Sequence, residues 1–89
     1  MDLELLTLDE DLEQMRALDA AGLRELITDR GTQLQAKLAD KVVRTEDQED
    51  RRTRAGYEVD GIVSKVATYQ DIEDLRSNAG LLIVLDHTF

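Results

Sequence analysis

Cysteine is absent from the chain, which excludes disulfide staples and thiolate metal sites. A single histidine, His87, leaves little for a zinc site. Aromatic residues are limited to Tyr57, Tyr69 and Phe89, so a core must be built from aliphatic side chains. There is no proline and no low-complexity linker, and punctuation falls to the glycines and to helix caps. No apolar run approaches the roughly 20 residues that cross a bilayer. The longest is Leu81-Leu82-Ile83-Val84-Leu85. The opening Met1-Asp2-Leu3-Glu4 is acidic, unlike the basic start of a secretory signal. A cytoplasmic location is expected, and a virion component assembled in a host cytosol would read the same way.

What is present is acid and leucine. The net charge is −9, and residues 1–13 carry Asp2, Glu4, Asp9, Glu10, Asp11 and Glu13 without a base. Such a surface repels phosphate, which argues against direct nucleic-acid binding and against anionic membranes. It permits a basic protein partner. The 89 residues are expected to form one domain, 1–89. A chain of that size buries only about 60–65% of its unfolded surface. With disulfides excluded and metal support poor, a partner subunit is the remaining common means of stabilisation. Of the fourteen leucines, ten precede residue 39 and four follow residue 74. Between them valine and isoleucine dominate, which hints at a different structure in the middle.

The pattern predicts a helix-rich α+β fold. Residues 2–6 alternate loosely as a short strand. Thr7 with Glu10 forms a capping box, and Leu8, Leu12, Met15, Leu18, Leu23 and Leu26 follow at helical spacing, closed by Arg30-Gly31. This predicts a first helix over about 8–30. Thr32 with Gln35 opens a second over about 32–55, the two making a helical hairpin. Its later part is a charged stretch, with Asp47/Arg51 and Asp50/Arg54 spaced as helix-supporting pairs. Residues 57–67 read as a β-hairpin around Asp60-Gly61. The alternative is helical, because Ala55, Val59, Ile62, Val66 and Tyr69 step by three and four. That reading makes an all-α helical hairpin or coiled coil with one long helix over 32–78. Thr68 with Asp71 caps a third helix over 69–78, ended by Asn78-Ala79-Gly80. The apolar run within 81–86 reads as a buried terminal strand.

No catalytic set emerges. A Ser/His/Asp triad would need His87, and on a strand Asp86 and His87 point to opposite faces. Asp47/Asp50 and Asp71/Asp74 share helix faces but lack the glycine and oxygen pattern of a calcium loop. Gly22, Gly31, Gly56, Gly61 and Gly80 are dispersed, with no phosphate-binding loop. Arg51, Arg52 and Arg54 form a basic cluster whose field is largely cancelled by the acids before it. No enzyme activity, cofactor or metal is expected.

The expected role is a non-catalytic protein–protein interaction or assembly module that self-associates as a homo-oligomer. Its interface would use Leu81, Leu82, Ile83, Val84 and Leu85, with Val59, Ile62 and Val66. A second possibility is a small acidic inhibitor or decoy for the basic, nucleic-acid-binding surface of a target protein. Its acidic patch would comprise Asp9, Glu10, Asp11, Glu13, Glu46, Asp47, Glu49 and Asp50. On the strand reading, Ile83→Asp is expected to abolish assembly before it disturbs the helices.

Overall fold

A computed structural model describes residues 7–89. Four α-helices follow one another: α1 (Leu8–Arg16), α2 (Ala20–Ala39), α3 (Glu46–Ser64) and α4 (Ile72–Thr88). A 3₁₀ turn, Val66–Thr68, links α3 to α4. No strand occurs among the described residues. The α+β expectation is therefore corrected to a mostly helical fold, while the strand placed at 2–6 lies outside the described residues.

Each boundary has a local cause. At α1 the capping box forms as read: the Thr7 hydroxyl accepts from the Glu10 amide, and Glu10 Oε1 accepts from the Thr7 amide, both at 3.2 Å. The expected helix over 8–30 is broken at Ala17–Asp19, because the Asp19 carboxylate accepts from the Gly22 amide at 2.8 Å and caps a new helix. α2 then runs straight through Gly31, and the Thr32 hydroxyl donates back to Thr28 O rather than capping anything. The expected helix over 32–55 is interrupted between Asp40 and Thr45. There the Thr45 hydroxyl accepts from the Gln48 amide at 3.1 Å and the Gln48 side chain accepts from the Arg44 amide at 2.8 Å. A Thr-x-x-Gln start signal is thus present at 45–48, inside a stretch that charge pairing marked as continuous helix.

The expected β-hairpin at 57–67 is helix α3 followed by the 3₁₀ turn. A two-residue hairpin turn at Asp60-Gly61 needs positive φ, and no described residue has it. Ala55, Val59 and Ile62 instead form the buried stripe of α3. The single helix over 32–78 does not form either, being broken at 40–45 and again after Ser64. α4 is capped by Asp71, whose carboxylate accepts from the Glu73 amide at 3.2 Å, not by Thr68. It passes through Asn78-Ala79-Gly80 and absorbs the run expected as a strand.

α2 lies at the centre of the arrangement. α3 runs antiparallel to it, with Gln35 Nε2 donating to Gly56 O at 3.0 Å and Val63 over Gly31. α4 runs parallel to α2, tied by Arg24 Nη2 to Tyr69 O at one end and by Lys37 Nζ to Asp86 O at the other. α1 packs on α4, with Leu12 and Met15 beside Gly80. The fully buried side chains Leu23, Ile27, Leu34, Val59, Leu75, Leu82 and Ile83 come from α2, α3 and α4 and meet in one core. The Cα atoms span 40 × 36 × 16 Å, a flattened shape, with a radius of gyration of 13.5 Å. A compact chain of this length has a radius of about 12 Å.

Two glycines separate the local cost of the residue from its tertiary use. A Cβ at Gly31 would overlap a Val63 methyl, so α3 approaches α2 only because the side chain is missing. A Cβ at Gly61 would meet nothing within 4 Å. Gly31→Ala is expected to destabilise the fold by about 1–3 kcal/mol through overpacking. Gly61→Ala is expected to stabilise it by about 0.5–1 kcal/mol through helix propensity. Urea denaturation followed by circular dichroism checks both signs, and equal effects at the two positions would refute the close approach.

Candidate interaction surface

The eight apolar residues expected at an interface are divided by the fold. Leu82 and Ile83 are fully buried, as is Val59, and Ile62 is nearly so. They belong to the chain's own core. Val66 and Leu85 are half-buried against it. Only Leu81 and Val84 stay outside, each 40% exposed. The physical reason is the helical period. On α4, Leu75, Ala79, Leu82 and Ile83 point inward, and Ser77, Leu81, Val84 and Thr88 recur by four, three and four on the outward side. Ile83→Asp therefore charges the core, and the earlier expectation that it would spare the helices is corrected.

The eight acidic residues also separate. Asp9, Glu10 and Glu13 are exposed on α1, and Glu46, Asp47, Glu49 and Asp50 are exposed on the first turns of α3. Asp11 is not part of a solvated patch. It is 5% exposed and faces inward toward α2 and α4. Arg30 grips both of its carboxylate oxygens, with Nη1 donating to Oδ1 at 3.2 Å and Nη2 to Oδ2. His87 Nε2 lies 2.9 Å from Oδ2. Arg30 reaches on to Asp86 Oδ2 at 3.3 Å, and Lys37 Nζ lies 3.3 Å from Asp86 Oδ1. Asp86 and His87, which diverge on a strand, both join this network because they sit on a helix packed between α1 and α2.

Burial acts to raise the Asp11 pKa, but hydrogen bonds from Arg30 and then His87, with their charges, outweigh it and hold the carboxyl below its usual range. The hydrogen bond to Asp11 in turn raises the Arg30 pKa against the effect of its own burial. Glu10 is lowered first by the Thr7 backbone amide and then by the Thr7 hydroxyl. Among the described residues, no three histidine, cysteine, aspartate or glutamate side chains are grouped to hold a metal ion. No helix of the described residues is long and apolar enough to cross a membrane.

At the end of the molecule where α2 and α4 stop and α3 starts, a groove of about 250 Å³ opens. Lys41, Val42 and Val43 of the α2–α3 connection, Arg51 and Arg52 of α3, and Phe89 line it. Lys41 Nζ donates to Phe89 O at 2.7 Å and stands 5.7 Å from the Phe89 ring centre, a cation–π distance. Sequence reasoning missed this site. It treated Arg51 as paired with Asp47, whereas the i,i+4 pair formed among the described residues of this stretch is Arg54–Asp50, at 4.0 Å. The available signal was Lys41-Val42-Val43-Arg44 beside Arg51-Arg52, two short basic runs with valine between. No family model, curated protein or solved structure matches the chain.

The ion network yields a pH-dependent outcome. Because folding depresses the Asp11 pKa, its contribution is fully present above the unfolded carboxylate value of about 4 and fades as pH falls through the folded one. Asp11→Asn is expected to cost about 1–3 kcal/mol at pH 7, since Arg30 loses its two-point contact with Asp11 and keeps only the longer one to Asp86. Urea midpoints of both forms should converge as pH falls below about 4 and Asp11 takes up its proton. A gap that persists unchanged at the acid end would show that Asp11 acts by shape alone.

Proposed function

We propose that the chain is a non-catalytic protein-interaction module that self-associates through the outer face of α4. The observation that carries this reading is the stripe Ser77, Leu81, Val84 and Thr88, exposed and uncharged in a chain that is 35% charged. Copies that each carry net charge −9 repel one another over most of their surface. They approach at least cost where no charge stands. A stripe on one helix can meet its own counterpart across a two-fold axis, which makes the contact self-complementary. Half-buried Leu85 adjoins the stripe and extends its apolar area.

The test is molar mass by light scattering behind a sizing column, over a range of protein concentrations and at moderate salt. The wild-type chain is expected to run at a multiple of 10.1 kDa. Leu81→Glu with Val84→Glu should return it to the single-chain mass while circular dichroism keeps its helical signal. A wild-type mass of 10.1 kDa throughout, or an unchanged oligomer in the double variant, overturns the reading.

A further inference from the structure

The groove where α2 and α4 stop gathers cations on a chain whose balance is strongly acidic. Lys41, Arg51 and Arg52 line it, and no carboxylate side chain does. Its apolar surface comes from Val42, Val43 and Phe89. We propose that this groove binds an acidic, aliphatic segment of a partner protein. The segment's carboxylates meet Lys41, Arg51 and Arg52, and an aliphatic side chain between them covers Val42.

Size, exposure and charge each narrow the occupant. At about 250 Å³ the groove falls below the roughly 300–1,000 Å³ of small-molecule and cofactor sites, and suits a side chain or two of a peptide. Val42 is 76% exposed on a non-helical connection, an apolar side chain that a partner would take out of water. Lys41 is held in advance by the Phe89 oxygen and ring, so little side-chain freedom is lost when a carboxylate arrives. Arg51 and Arg52 offer planar forks that match carboxylates in two-point contacts.

The surrounding acids set the limit on length. Asp40, Asp47, Glu49 and Asp50 are exposed and adjoin lining residues in the chain, and Asp50 is paired with Arg54. A long polyanion such as a nucleic acid would run from the three cations onto these carboxylates and be repelled. A short segment with a few carboxylates places its charge on the cations alone.

The groove meets the α4 stripe at Thr88, and the two surfaces are tested separately with variants that leave that residue unchanged. The probe is a dye-labelled hexapeptide, Asp-Leu-Glu-Leu-Asp-Leu, titrated with the wild-type chain by fluorescence anisotropy at 50 mM salt. Its neutral counterpart, Asn-Leu-Gln-Leu-Asn-Leu, keeps the leucines. Saturable binding of the acidic peptide is expected, with the neutral one about tenfold weaker or more. Raising salt to 300 mM should weaken binding severalfold. Arg51→Glu, at an exposed position, and Arg52→Glu, at a half-buried one, should together reduce it about tenfold or more with the helical signal retained. Val42→Ser should weaken both peptides. The Leu81→Glu, Val84→Glu variant should bind as the wild type does. Absence of saturable binding, equal affinity for the two peptides, indifference to the arginine changes, full competition by inorganic phosphate, or preference for a single-stranded oligonucleotide would each overturn the proposal.

Discussion

The apolar stripe of α2 is the surface on which the other long helices depend. Leu23, Ile27, Gly31, Leu34 and Leu38 recur by four, four, three and four, and both α3 and α4 bury their own apolar residues against that one side. With no disulfide and few aromatics, this shared contact must supply most of the chain's hydrophobic stabilisation. Its geometry is set at Gly31, where the missing side chain admits Val63 and brings α3 close. Glycine in the middle of a helix costs about 1 kcal/mol in propensity, and here the cost is offset by the closer contact it allows.

α1 is nine residues long, too short to hold a helix in water by itself. It is fixed at its start by the Thr7–Glu10 box and along its side by Leu12 and Met15 against α4. Asp11 adds a buried carboxylate whose partners come from α2 and α4. An isolated buried carboxylate is strongly unfavourable. The position is tolerable because Arg30 contacts both oxygens and His87 lies beside one. The network thus fastens three helices at one point and specifies how α1 meets them. The cationic groove shares no residue with this network and is formed where α2 and α4 terminate and α3 begins.

How much of this was legible in the sequence can be judged residue by residue. The Thr7 box and the helical spacing through Leu8, Leu12 and Met15 gave α1 its start, because capping is a local interaction between residues three apart. The stops were harder. Gly31, Gly56 and Gly80 resemble helix ends, yet all three lie inside helices. Asp19 and Thr45 begin helices where apolar spacing and charge pairing suggested continuity. Asp60-Gly61 carries a strong hairpin signature that the packing of Val59 and Ile62 against the core overrides. The candidate surfaces were read in part: Leu81 and Val84 stand exposed, while Leu82, Ile83, Val59 and Ile62 are core, and the Lys41–Arg52 groove was not seen.

By itself the sequence determined a helix-rich chain with an aliphatic core, an acidic surface and no apolar run that could cross a bilayer, because those properties follow from composition and from contacts within a few residues. Only the tertiary structure decided what Leu81–Leu85 become. A helix covered on one side shows a clean period, but α4 is covered by α2 and by α1, so consecutive residues Leu82 and Ile83 are both buried. That double cover accounts for Leu82, Ile83 and half-buried Leu85; the outward Leu81 and Val84 complete an unbroken apolar run, which is also how a buried strand reads, and five residues hold too few turns to tell the two apart. The meeting of Asp11 with Arg30 and His87, 19 and 76 residues away, was decided in the same way, by which helices come to lie side by side.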